Sequence, residues 1–149
     1  KPLQPAFLAR PASQQANFAI NASVAVAMGD EVYDQNADFA SNVFTAPVTG
    51  KYQLNASIRL ANVDSASTYV YLQINTANRD YYNVITVPRD HASAGVTSYD
   101  LTYWNLSISV IADMDANDTA IMKFGYAGGT QQVDTSGSGG TVFSGALIC

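Results

Sequence analysis

The sequence predicts an all-β fold: one jelly-roll sandwich of two antiparallel sheets, with about eight to ten strands, filling residues 1–149 as a single domain. Three observations lead there. From Tyr52 the chain alternates Tyr52, Leu54, Ala56, Ile58 and Leu60 against Gln53, Asn55, Ser57 and Arg59, the period of two of a half-buried strand. Short runs of the same kind recur along the chain, separated by turn signals at regular intervals. No window offers a capped apolar stripe of helical period, so helix content should be low.

In order, the first strand is expected at residues 7–9 and the second at 18–26, where the alanine-rich stretch reads as a strand of small residues. Met28-Gly29-Asp30 turns the chain, 43–46 extends it, and Pro47-Val48-Thr49-Gly50 turns it again into the long strand 52–60. After a turn at 62–65, strand 69–74 sets Val70, Leu72 and Ile74 towards a core and Tyr69 and Tyr71 away from it. Strand 82–87 ends at Pro88-Arg89-Asp90, and strands follow at 98–104 and at 106–113, where Leu106, Ile108, Val110 and Ala112 share a face. An acidic turn, Asp113-Met114-Asp115-Ala116-Asn117-Asp118, leads to strand 121–126. The closing strand, 142–148, has Val142, Ser144, Ala146 and Ile148 on one side and Phe143, Gly145 and Leu147 on the other. Both sides are mostly apolar, which places that strand mid-sheet and favours a closed β topology over a chain of hairpins.

Composition narrows the function. Hydrophobic residues make up 48% and charged residues 13% of the chain, against roughly 25% charged in ordinary soluble domains. A surface this neutral is expected to be covered in part by partner chains. The net charge is −5, and no Lys/Arg cluster follows a phosphate backbone, which argues against nucleic acid. The apolar runs are too short for membrane insertion as a spanning helix. The chain opens on Lys1 with no signal peptide ahead of it, the expectation for a mature product or the excised end of something longer.

The tyrosines divide strands in a useful way. Tyr and Trp join a large apolar body to a polar handle, which suits either an ordinary core with hydroxyls reaching water or a sheet face packed on another subunit. Low charge together with two-faced strands favours the interface.

Two segments then support a resemblance. Pro47-Val48-Thr49-Gly50-Lys51-Tyr52 and Phe143-Ser144-Gly145-Ala146-Leu147, with Phe7-Leu8-Ala9-Arg10 as opening strand and Asn117-Asp118 standing for a Gly-Asp turn, resemble the globular head of complement component 1q, akin to the tumour necrosis factor jelly roll. The resemblance implies that first and last strands are neighbours in an inner sheet lining a threefold axis, giving a homotrimer. Phe7, Tyr69, Tyr71, Tyr103, Phe124, Tyr126, Phe143 and Leu147 are the expected trimer-interface residues. The plain motifs and lack of cystines look more like phage or bacterial versions of the fold than animal secreted ones.

Chemistry-bearing motifs are few. His91 is the only histidine, so no imidazole metal site forms within one subunit. Ser144 lacks the first glycine of a nucleophile elbow, and Gly50-Lys51 is followed by Tyr52 without the glycines of a phosphate loop. The chain is therefore expected not to be an enzyme. The acidic turn resembles the start of a calcium loop, but its sixth position is Asp118 and its twelfth Phe124, where such a loop needs Gly and Glu. No cofactor is expected; Ca²⁺ is retained only through the weak ligand candidates Asp113 and Asp115 and, by the resemblance, Asp80 and Asp90. Cys149 is the one cysteine, read as an exposed end thiol or an interchain bridge. Sequons stand at Asn21, Asn55, Asn105 and Asn117.

Two functions remain. The first is a recognition or receptor-binding head of a fibre or virion component, at the virion surface or otherwise extracellular, binding a protein or glycan through loops that carry Asp64, Tyr81, Tyr82, Arg89 and His91. The second is a structural decoration or cement protein that locks neighbouring virion proteins in a capsid or tail.

Overall fold

A computed structural model describes residues 4–88, 100–137 and 139–149. Arg89, Asp90 and His91 lie outside the described residues. Among those described there is no helix, and none therefore long and apolar enough to cross a membrane.

Among the described residues twelve strands form two antiparallel sheets. The first sheet runs β3 (Asp30–Gln35), β1 (Ala6–Arg10), β12 (Val142–Leu147), β6 (Gly50–Val63), β9 (Leu101–Met114), with the short β11 (Asp134–Thr135) extending the line of β12 along β6. The second runs β4 (Phe39–Ala40), β5 (Val43–Thr45), β10 (Thr119–Gly128), β7 (Ser67–Thr76), β8 (Asp80–Thr86), with β2 (Ser23–Ala25) beside β10. At one side Asn83 of β8 donates to the Ser107 carbonyl of β9 (2.8 Å), joining the sheet edges. As expected, the first strand lies beside the last, from Ala6 opposite Ala146 to Ala9 opposite Phe143.

The alternation in β6 is realised in full. Tyr52, Leu54, Ala56, Ile58 and Leu60 are buried against Val70, Leu72 and Ile74 of β7 and Met122 and Phe124 of β10 in one core cluster. Phe7 anchors the base of that core, stacked on Phe44 (4.6 Å) and Phe39 (4.9 Å) and edge-on to Phe143 (5.1 Å). Aromatic pairs like these contribute about 0.5–1.5 kcal/mol each beyond their buried area. The Pro47–Gly50 turn shows why a tyrosine follows it: Tyr52 packs edge-on to Phe44 (5.5 Å), and its hydroxyl donates back to the Val48 carbonyl (2.7 Å). Gly145 leaves room for Phe7 and Leu54, since a Cβ there would sit 2.7 Å from each.

Several expectations are revised. The stretch 18–26 is not one strand: Phe18 makes an isolated bridge to Val133, and only 23–25 pairs with β10. Asn17 and Asn21, at φ 60 and 58, turn the backbone out of the extended region. The two strands expected at 98–104 and 106–113 are one continuous β9, paired with nearly the whole of β6. Tyr81 and Tyr82 lie inside β8, not in a loop. Asn117 takes φ 75 in the β9–β10 turn, the left-handed conformation for which the resemblance wants glycine.

Candidate functional site

Three regions carry the polar and aromatic groups that the sequence singles out: a loop cluster at one end of the sandwich and the two outward sheet faces.

At the loop end, Asp64 closes the turn between β6 and β7. It is only 6% exposed. One carboxylate oxygen accepts from the Ala66 N–H (2.7 Å), and the other from the N–H groups of Thr130 (2.6 Å) and Gln131 (3.0 Å). Burial pushes the Asp64 carboxyl up, but the donated N–H groups of Thr130, Ala66 and Gln131 outweigh it and hold it below the usual carboxylate range. Gly129, at φ 83, sits where a Cβ would come 2.8 Å from that carboxylate. Asp64 therefore ties two loops together, and its expected role as an exposed ligand contact is corrected: its oxygens are already occupied by the chain.

The middle of the outward face of the first sheet is free of charge, with Arg10, Asp30, Lys51, Arg59 and Asp113 lying around it on the same face. Across its five strands run Tyr33, Leu8, Ser144, Asn55 and Ser109, and beside them Gln35, Ala6, Ala146, Gln53 and Ile111. Ser109 donates to Asn55 Oδ1 (2.8 Å) while Gln53 Nε2 reaches Ser109 Oγ (2.8 Å), a small closed network. Farther along, the Arg59 guanidinium lies 4.3 Å from the centre of the Tyr103 ring, a cation–π contact that diagonal neighbours on paired strands permit. Sequence periodicity placed Arg59 outward but gave no sign of this pairing.

The outward face of the second sheet carries the tyrosines. Tyr69 and Tyr71 stand 6.3 Å apart, and Tyr82 meets Tyr71 edge-on at 5.7 Å. Tyr71 lies across Gly125, where any Cβ would overlap its ring; the glycine opposite Tyr71 in the β7–β10 register is the signal that could have found this contact. Below Tyr82, Asp80 accepts from Asn75 Nδ2 (2.5 Å) and from the Tyr82 hydroxyl (3.2 Å). Gln73, 4% exposed, also bonds to Asp80 and accepts from Ser23 Oγ (3.0 Å). The Asn75 amide is the main reason that the Asp80 carboxyl is held below its ordinary value.

These placements split the expected trimer-interface set. Phe7, Phe124, Tyr126 and Phe143 belong to the core of the subunit itself, each at most 1% exposed. Their assignment to an interface is corrected, because a side chain with no surface left in the single chain has none to bury against a neighbour. Tyr126 further donates to the Phe18 carbonyl (2.8 Å). Leu147, opposite Tyr52, is half-buried against the core at the end of β12. Tyr103 is outward on the first sheet, whereas Tyr69 and Tyr71 are outward on the second. The sheet that holds the first and last strands is thus not the sheet that holds the tyrosine face.

The acidic turn is bound to its neighbours. Asp113 pairs with Arg79 (2.9 Å), and Asp118 accepts from Asn78 Nδ2 (3.0 Å) and the Asp115 N–H (2.8 Å). Asp80 lies in the separate polar cluster described above. Among the described residues no group of three His, Cys, Asp or Glu side chains could hold a metal ion. Ser144 stands half-buried in the uncharged middle of the first sheet's outward face, paired with Leu8 and Asn55.

No protein-family model matches the sequence, and no curated protein matches it. Solved structures do match. The globular domain of zebrafish complement 1qA superposes with a TM-score of 0.65 at 19% identity, covering 98% of both chains. Murine APRIL, of the tumour necrosis factor family, superposes with a TM-score of 0.66 at 11% identity, covering 97% of this chain and 99% of its own. With no helix described, two antiparallel sheets and both chain ends paired in one of them, the chain has the jelly-roll fold of the complement 1q and tumour necrosis factor proteins.

Proposed function

We propose that the chain is a non-enzymatic recognition module that assembles as a homotrimer, with the outward face of the first sheet turned to the threefold axis. The uncharged middle of that face, with Arg10, Asp30, Lys51, Arg59 and Asp113 around it, carries this reading. Ten side chains in two rows across β3, β1, β12, β6 and β9 include no Lys, Arg, Asp or Glu, whereas a water-facing surface ordinarily has about a quarter to a third of its residues charged. Ala6, Ala146 and Ser144 let a neighbouring sheet approach closely, and the Gln53–Ser109–Asn55 network satisfies its own hydrogen bonds and so enters an interface at small cost. The fold shared with complement 1qA and APRIL supports a binding role outside the cell. A protein or glycan is then met by the opposite sheet or the loop end, at the head of a fibre or virion component. A purely structural decoration protein would share this assembly and differ in lacking ligand binding.

Sedimentation velocity tests the assembly. The wild-type chain should run at three times its 15.8 kDa subunit mass. Ser144→Arg, which gathers three cations in a desolvated interface, should run as a folded monomer, and Tyr82→Arg on the far sheet should remain trimeric. A monomeric wild type, or a Ser144→Arg protein of unchanged mass, rejects this placement.

A further inference from the structure

We propose that the outward face of β7 and β8 is a saccharide-binding surface, on which the exposed Tyr82 ring stacks against a sugar and the Asp80 carboxylate accepts its hydroxyls. The proposal rests on the recognition reading above and names the chemistry of the ligand. Tyr82 is 52% exposed, Val84 56% and Tyr69 39%, a continuous apolar strip. The strip is braced: Tyr82 abuts Tyr71, which is seated on Gly125. Beside it, Asp80 is held by Asn75 on one oxygen and Tyr82 on the other, with the buried Gln73 behind it and Ser23 fixing Gln73. An ionised carboxylate has about four lone-pair sites, so with Asn75, Tyr82 and Gln73 bound it keeps capacity for an incoming donor.

A sugar offers one face of C–H groups and an edge of hydroxyls, which is what a ring next to a fixed charged acceptor recognises. Charge points to a neutral sugar. Asp80 and Lys123 are the only charged residues in β2, β4, β5, β7, β8 and β10, one acid and one base. An acidic chain would meet no cationic cluster there, and a basic one a single carboxylate.

The test is affinity electrophoresis of the intact chain through gels containing laminarin, dextran or galactomannan, with alginate as the acidic counterpart. The wild type should be retarded in at least one neutral gel. Tyr82→Ala and Asp80→Ala should each weaken that association about ten-fold or more, close to 1.4 kcal/mol, while Tyr82→Phe, which keeps the ring, should retain most of it. Retardation in no neutral gel, retardation in alginate alone, or equal retardation of Tyr82→Ala overturns the proposal. So does saturable binding of a random peptide library that Tyr82→Ala abolishes when no polysaccharide binds. Sedimentation of the same preparations reads assembly separately: a trimer that no sugar retards removes this proposal alone, and a retarded monomer removes the trimer alone.

Discussion

Replacing Asp64 by Ala should destabilise the chain by about 3 kcal/mol. Three backbone N–H groups, from Ala66, Thr130 and Gln131, donate to its carboxylate at 2.6–3.0 Å. Hydrogen bonds to a charged group contribute about 1.5–3 kcal/mol each, and an orphaned buried donor costs about 1–3 kcal/mol. Ala66 and Thr130 are exposed enough for water to satisfy part of the loss, so the sum falls to roughly two effective bonds. For a domain of this size that corresponds to a melting midpoint lower by about 6–12 °C, read by circular dichroism at fixed protein concentration so that assembly does not shift the comparison. The pH dependence fixes the cause. The folded-state carboxyl lies below its ordinary value, so its contribution is complete above the unfolded pKa of about 3.9 and is lost as pH falls through the lower folded value. The gap between wild type and Asp64→Ala should therefore be constant from neutral pH down to about 4 and close below it. A gap under about 1 kcal/mol at neutral pH, or one unchanged in acid, would refute the assignment of Asp64 as an anionic tie between the two loops.

Gly145→Val should cost about 1–3 kcal/mol or more, because its branched side chain begins 2.7 Å from both Phe7 and Leu54; urea unfolding with a wild-type midpoint would show that the core yields there. Calcium titration followed by melting should leave the midpoint in place, since Asp113 and Asp118 are engaged with Arg79 and Asn78. An upward shift abolished by Asp115→Ala would instead put a cation at that turn.

Strands whose side chains alternate cleanly were legible from sequence. From Tyr52 to Leu60 in β6 every second residue is a core residue, and the pattern shifts only beyond it, where Asn62 at φ 59 is exposed and Val63 is buried. The edge strand β3 was not foreseen, because Asp30, Glu31, Asp34 and Gln35 make it polar and a bulge near Val32 breaks its register with β1. Aromatic content misled where period would have served: Phe124 and Tyr126 share parity with the buried Met122, which sends them inward whatever their size and despite the Tyr126 hydroxyl. The partition of tyrosines between sheets was also hidden, since it depends on strand order and not on any one strand's pattern. Of the loop set, Asp64 proved structural because its partners, Thr130 and Gln131, lie far along the chain from it.

The pairing of β1 with β12 continues past the strands, where the Leu147 N–H donates to the Pro5 carbonyl (3.0 Å) and the Gln4 amide also reaches Leu147. The first and last described residues, Gln4 and Cys149, consequently lie at one pole of the sandwich, away from the Asp64 tie. A tag or carrier attached at either end points the same way and leaves the far pole clear. The same closeness means that a linker from Cys149 to Gln4 would permit circular permutation, with new ends opened in the exposed turn at Asn36-Ala37, without disturbing the order of strands in either layer.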